Sequence, residues 1–123
     1  CLDVGLLGAM TNLKPVTLVT GNEIFTEFKG ALTEQYVMQQ LVPKHELYYY
    51  SKANSSMEID FLLQDEDDDI VPLEVKAETN VKAKSLRQFV KDCQPKKVFR
   101  ISMNNYKVEE WLVNLPLYAV NIL

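Results

Sequence analysis

Glycine is scarce in this chain, and its four glycines, Gly5, Gly8, Gly21 and Gly30, build no phosphate-cradling loop. No G-x-x-x-x-G-K-[ST] pattern occurs, so these 123 residues carry no P-loop ATPase. Histidine occurs once, as His45 in the polar stretch after Pro43 and Lys44. A single loop histidine offers no Ser-His-Asp constellation and is expected to face solvent. Cysteine occurs twice, as Cys1 and Cys93, without metal-ligand spacing. That usage fits a reducing, cytoplasmic setting. No apolar run approaches the roughly 20 residues of a membrane helix, and no signal-peptide pattern is present, so no membrane partner is expected. Repeats are absent too, and low complexity is confined to one acidic cluster.

What is present is an ordinary globular composition, 47% apolar and 24% charged, in a chain long enough for one domain with its own core. The first residues, CLDVGLLGAM, begin without Met and read as the middle of a longer polypeptide. Residues 1 to 22 are therefore expected to be a lead-in from an upstream module, and 23 to 123 the core of a single domain. The net charge of −4 hides a segregation. Five acids, Asp65, Glu66, Asp67, Asp68 and Asp69, sit together, and without them the remainder is +1. From Lys76 to Lys107 nine Lys or Arg face two acids, Glu78 and Asp92. A basic zone beside carboxylates suits a phosphate-backbone binder, although lysine-rich solvated faces are also common.

Periodicity supplies the elements. GLLGAM reads as a short helix, and VTLV as a strand or extended lead-in. A long helix is expected over 23 to 42, with Asn22 as N-cap and Pro43 as stop. Its apolar stripe is Ile24, Phe28, Ala31, Met38 and Val42, flanked by Phe25, Leu32 and Tyr36. The arc is wide enough to pack against a sheet and something else. Strands are expected at ELYYYS, EIDFLLQ and IVPLEVKAE, the last two joined by the acidic hairpin tip. Pro72 places the start of the third strand near itself, or leaves it locally unpaired. A short helix over 83 to 93 has Leu86, Phe89, Val90 and Cys93 on one stripe and Lys84, Arg87 and Lys91 on another face. KKVFRISM is a fourth strand. NNYKVEE reads as a turn, WLVN is ambiguous, and PLYAVNIL reads as a short tail whose helix opens at Pro116. The tyrosines of ELYYYS and Trp111 are expected to pack, and Cys93 to be a core thiol.

Four side chains carry chemistry: Glu34, Asp60, Glu74 and Lys76. Alternation puts Glu58, Asp60 and Leu62 on one strand face, and Glu74 with Lys76 on one face of the next. A hairpin would bring Asp60 near Glu74. Glu34 borders the apolar arc of the preceding helix, where a carboxylate needs a partner or water. Carboxylates so placed can hold a hard cation, and a lysine ammonium can orient a water or neutralise a phosphate. An exposed cross-strand charge pair is the plainer reading of Glu-x-Lys alone. The apolar strand, the Asp-bearing strand before it and the upstream helix acid favour a site. The acidic tip lacks the glycine and ligand spacing of a calcium loop.

The set Glu34, Asp60 and Glu74-Val75-Lys76 resembles the PD-(D/E)XK nuclease superfamily. More closely, FKGALTEQYVMQQL, LYYYS, MEIDFLLQ, IVPLEVKAE, SLRQF and LPLYAV resemble the domain of unknown function that follows an AAA+ type ATPase module in prokaryotic ATP-binding proteins. The resemblance implies an α/β restriction-endonuclease-like core: helix, three-strand meander, helix and strand, in a mixed sheet flanked by helices. It implies that Asp60, Glu74 and the Val75 carbonyl ligate Mg²⁺ or Mn²⁺, with Glu34 the helix acid and Lys76 the catalytic lysine. Nucleic-acid contacts would come from Lys84, Arg87, Gln88 and Lys91, with Lys82 and Lys97 as neighbours. Ile59 stands where the pattern has proline. Asp92 stands where exonuclease-like members carry a tyrosine four residues after the glutamine. Two functions follow: metal-dependent hydrolysis of DNA, or a silent nuclease-shaped module that regulates its ATPase or mediates its interactions.

Overall fold

The computed structural model describes residues 3–14, 16, 23–78 and 83–123. A short helix, α1, covers Val4–Met10, as GLLGAM leads one to expect. Asp3 caps it, its Oδ1 accepting the Leu6 N–H at 2.7 Å. The Gln39 amide oxygen accepts the Val4 N–H at 2.8 Å and ties α1 to the long helix. The VTLV reading, apart from Val16, and the Asn22 cap lie outside the described residues.

The long helix, α2, is Glu23–Leu41 and stops two residues before Pro43. Its buried side is not the expected stripe. Leu32, Val37 and Leu41 are buried, while Ala31 and Val42 are exposed and Met38 is half-buried. The arc is wide enough for both sets. The sheet took one side and left the other open.

The sheet has six strands: β1 Tyr48–Ser51, β2 Glu58–Gln64, β3 Ile70–Lys76, β4 Phe99–Ser102, β5 Lys107–Val108 and β6 Val113–Pro116. Their order is β1-β2-β3-β4-β6-β5. β1, β2 and β3 form an antiparallel meander, while β3–β4 and β4–β6 are parallel. Parallel strands need a crossover, and helix α3, Lys84–Cys93, lies in the one between β3 and β4. It ends at Gln94, which takes the left-handed conformation (φ 49°) one residue before Pro95. Asp68 turns the acidic hairpin in the same way (φ 61°). Pro72 pairs with Leu62 inside the β2–β3 ladder, so the strand does not begin there. Pairing with β4 starts one residue later, at Leu73.

The expected helix, meander, helix and strand are all present, and two further strands were not foreseen. The presumed turn NNYKVEE contains β5, and WLVN leads into β6. Pro116 then opens a 3-10 turn, Leu117–Ile122, rather than an α-helix.

The two helices pack on opposite faces of the sheet. On one, Val37 and Leu41 of α2 meet Leu63, Val71, Leu73, Val75, Ile101 and Leu115. On the other, Leu86 and Phe89 of α3 meet Ile59, Val98 and Leu112. Each fully buried Leu or Ile contributes roughly 1.5–3 kcal/mol. Cys93, expected on this second core, is exposed beyond the last turn of contact. Tyr50 packs edge-on against Phe89, but Tyr48 and Tyr49 are exposed, because β1 is short and lies at the edge of the sheet.

Candidate functional site

The β2–β3 ladder runs from Gln64↔Ile70 to Phe61↔Leu73. One residue further, the Asp60 side chain takes over: its Oδ2 accepts the Val75 N–H at 2.6 Å. A register shift in the β1–β2 ladder accompanies the change. Between the pairs Tyr48↔Leu62 and Tyr50↔Ile59, β2 has one more residue than β1. The extra residue breaks the alternation, so Glu58, Asp60 and Leu62 do not share a face as expected. Leu62 and Ile59 both pack toward α3, while Glu58 and Asp60 line a cleft against α2. In an extended strand the N–H and C=O of one residue leave the same edge. The Val75 carbonyl therefore faces the side on which Asp60 sits.

Leu73 and Val75 point into the α2 core, so the pleat directs Glu74 and Lys76 to the α3 face. Glu74 is 5% exposed. Its Oε1 lies 2.5 Å from the Lys76 ammonium, and its Oε2 is buried without a hydrogen-bond partner. Burial raises the Glu74 pKa; the Lys76 bond opposes this, and the charges of Asp60 and Glu34 add to it. Burial likewise raises Asp60, against the pull of the Val75 N–H and Lys76. Glu34 stands on α2 across from them, exposed at the cleft wall. Its pKa is raised by partial desolvation and then by Asp60, with Lys76 opposing. The four expected residues thus form one electrostatic unit.

They do not form one tight cage. The carboxylates of Glu34, Asp60 and Glu74 do not converge to within 4.8 Å, whereas those of Asp65, Asp67 and Asp69 do. The latter group is neutralised from outside. Lys97 sits 2.7 Å from Asp65 and Lys96 sits 2.7 Å from Asp69, and Asp65 Oδ1 accepts the N–H groups of Asp67 and Asp69. Lys97 is therefore engaged at the hairpin tip rather than beside α3. Lys82 lies outside the described residues.

On α3, Lys84, Arg87, Gln88 and Lys91 are exposed. The Arg87 guanidinium lies 4.9 Å from the Trp111 ring centroid, a cation–π contact. The Gln88 amide donates to Asp92 at 2.8 Å along the helix, and Lys52 pairs with Asp92 at 3.4 Å. His45 is not the solvent-facing residue expected of it: it is half-buried, with Nε2 sealed and unpartnered.

Sequence reasoning missed a buried polar network on the α3 face of β4 and β6. Asn114 Oδ1 accepts from Arg100 Nε at 2.9 Å and from the Ser102 hydroxyl at 2.8 Å. Arg100 also pairs with Glu109 at 2.7 Å. The alternating Arg100 and Ser102 of FRIS and the lone Asn114 of VNLP were the signal available.

No helix among the described residues is long and apolar enough to cross a membrane. No curated protein and no solved structure matches the chain. The model of one family, a domain of unknown function designated DUF4143, matches residues 29–119, which span every element of the site, and the chain belongs to that family.

Proposed function

We propose that this domain is a metal-dependent phosphodiesterase of restriction-endonuclease-like architecture, acting on DNA. One observation carries the reading. Glu74 buries an unpartnered carboxylate oxygen next to the point where Asp60 has replaced a ladder partner of Val75. A buried acceptor with no donor costs about 1–3 kcal/mol, and a bound cation would remove that cost. Asp60, Glu74 and the Val75 carbonyl are all hard oxygen donors, the set that Mg²⁺ or Mn²⁺ takes. When bound, such an ion lowers the pKa of water and offsets phosphate charge.

The chain's own residues supply the rest. Lys76 is 30% exposed at its side chain and paired to Glu74, and its ammonium can turn to a phosphate oxygen or orient an attacking water. Glu34 keeps a proton to higher pH than an ordinary carboxylate and stands across the cleft, within reach of the same charges. Lys84 and Lys91 lie on the helix that covers the Glu74 face and can hold the backbone.

The Lys76–Glu74 ion pair also favours a second reading, a nuclease-shaped module that regulates an upstream ATPase of the same polypeptide and cuts nothing. A cleavage time course with Mn²⁺ and single- and double-stranded DNA separates the two. Wild type should cut, Glu74→Ala should not, and Lys76→Ala should lose about a hundredfold in rate. Calorimetry of Mn²⁺ binding should differ between wild type and Asp60→Ala. Absence of wild-type cleavage selects the regulatory reading, and identical isotherms remove the metal site.

A further inference from the structure

The cleft between α2 and β1 encloses about 950 Å³ and has a character of its own. One wall is the apolar side of α2 that the sheet left open, with Ala31 and Met38, continued by Val42 just past its end. The opposite wall is β1, whose outer edge has no strand paired to it among the described residues. Tyr48 and Tyr49 stand exposed along that edge. Four carboxylates, Glu34, Glu46, Glu58 and Asp60, ring the space, and among the described residues His45 is the one basic side chain in its walls. Tyr48 donates to Glu46 at 2.8 Å, and Glu58 sits against the Tyr49 hydroxyl, so two of the acids are fixed to the strand.

Without a bound cation these walls repel a phosphate backbone. They complement a chain that is extended, partly apolar and positively charged. An open strand edge offers backbone hydrogen bonds, alternate side chains find the apolar helix wall, and cationic ones meet the carboxylates. We propose that this cleft docks an extended segment of a partner protein in which lysine or arginine alternates with apolar residues. The segment pairs with β1 and places its basic side chains on Glu46 and Glu58. The metal reading is not needed for this, and nucleic acid would then approach from the α3 side of the sheet.

The test is fluorescence anisotropy in EDTA with a labelled peptide alternating valine and lysine. Wild type should bind it saturably, with amide shifts at Tyr48–Ser51. The valine–glutamate counterpart should not bind. The double variant Glu46→Lys/Glu58→Lys should weaken binding by about tenfold or more, with Glu46→Gln/Glu58→Gln intermediate. Melting curves of both variants establish that they are folded. Undiminished binding by the folded charge-reversed variant would overturn the proposal, as would equal binding of the acidic peptide. Since metal is chelated throughout, failure here leaves the phosphodiesterase reading standing, and the reverse also holds.

Discussion

At Glu74, one carboxylate oxygen meets Lys76 and the other meets nothing, inside a strand buried on both faces. Glu74→Gln should therefore be neutral or stabilising by about 1 kcal/mol in EDTA, since an amide buries no charge. Adding Mn²⁺ should raise the melting temperature of wild type but not of the variant. The pH dependence has a definite sign. Glu74 and Asp60 are raised in the folded state, so folded protein holds these protons more tightly than unfolded chain. Their contribution is fully present below the unfolded carboxylate value of about 4 and is lost as pH rises through the higher folded values. Without metal, urea midpoints of wild type should fall across that interval relative to Asp60→Asn/Glu74→Gln. At this scale the sequence was informative. Glu-x-Lys inside an apolar strand, an Asp-bearing strand before it and an acid on the upstream helix pointed to four residues whose charges act on one another in the fold. His45 and Cys93 were misread, because a loop position and a helical stripe do not say where the neighbouring elements end.

Among the elements, β2 shows what a period-two reading cannot contain. A single extra residue opposite Tyr49 turns Asp60 toward α2, and nothing in EIDFLLQ announces it. β5 and β6 escaped for another reason: one is two residues long, and the other buries a polar residue, Asn114, inside a segment that read as ambiguous. The α3 helix was legible because its stripes separate cleanly, and it makes two predictions. Arg87→Ala should cost about 0.5–1 kcal/mol through the lost stacking on Trp111, with a change in tryptophan fluorescence. Lys84→Ala and Lys91→Ala should stay within about 0.5 kcal/mol in thermal melts. If the helix holds a phosphate backbone, the triple Lys84/Arg87/Lys91→Ala variant should bind DNA more weakly, with a shallower dependence on salt.

Across the whole molecule, charge and polarity are sorted by the sheet. The α2 side carries the acidic cleft, and the α3 side carries the exposed lysines and the buried Arg100–Asn114–Ser102 network. That network joins β4, β6 and the β5 hairpin through Glu109. Asn114→Ala removes the acceptor shared by Arg100 and Ser102 and should cost about 2–4 kcal/mol in denaturant unfolding. The mixed α/β architecture was legible from the order of helices and strands, but the place of the last strand was not. β6 lies inside the sheet, with β4 on one flank and β5 on the other. A stop codon between 103 and 112 would therefore remove an interior strand. It would strip the parallel edge of Phe99–Ser102 and leave buried Ile101 without its partner Leu115. Such a bare apolar edge is a template for pairing between chains. Shortened products of this domain should accumulate as insoluble aggregates or be cleared by proteases, and not persist as a smaller folded unit.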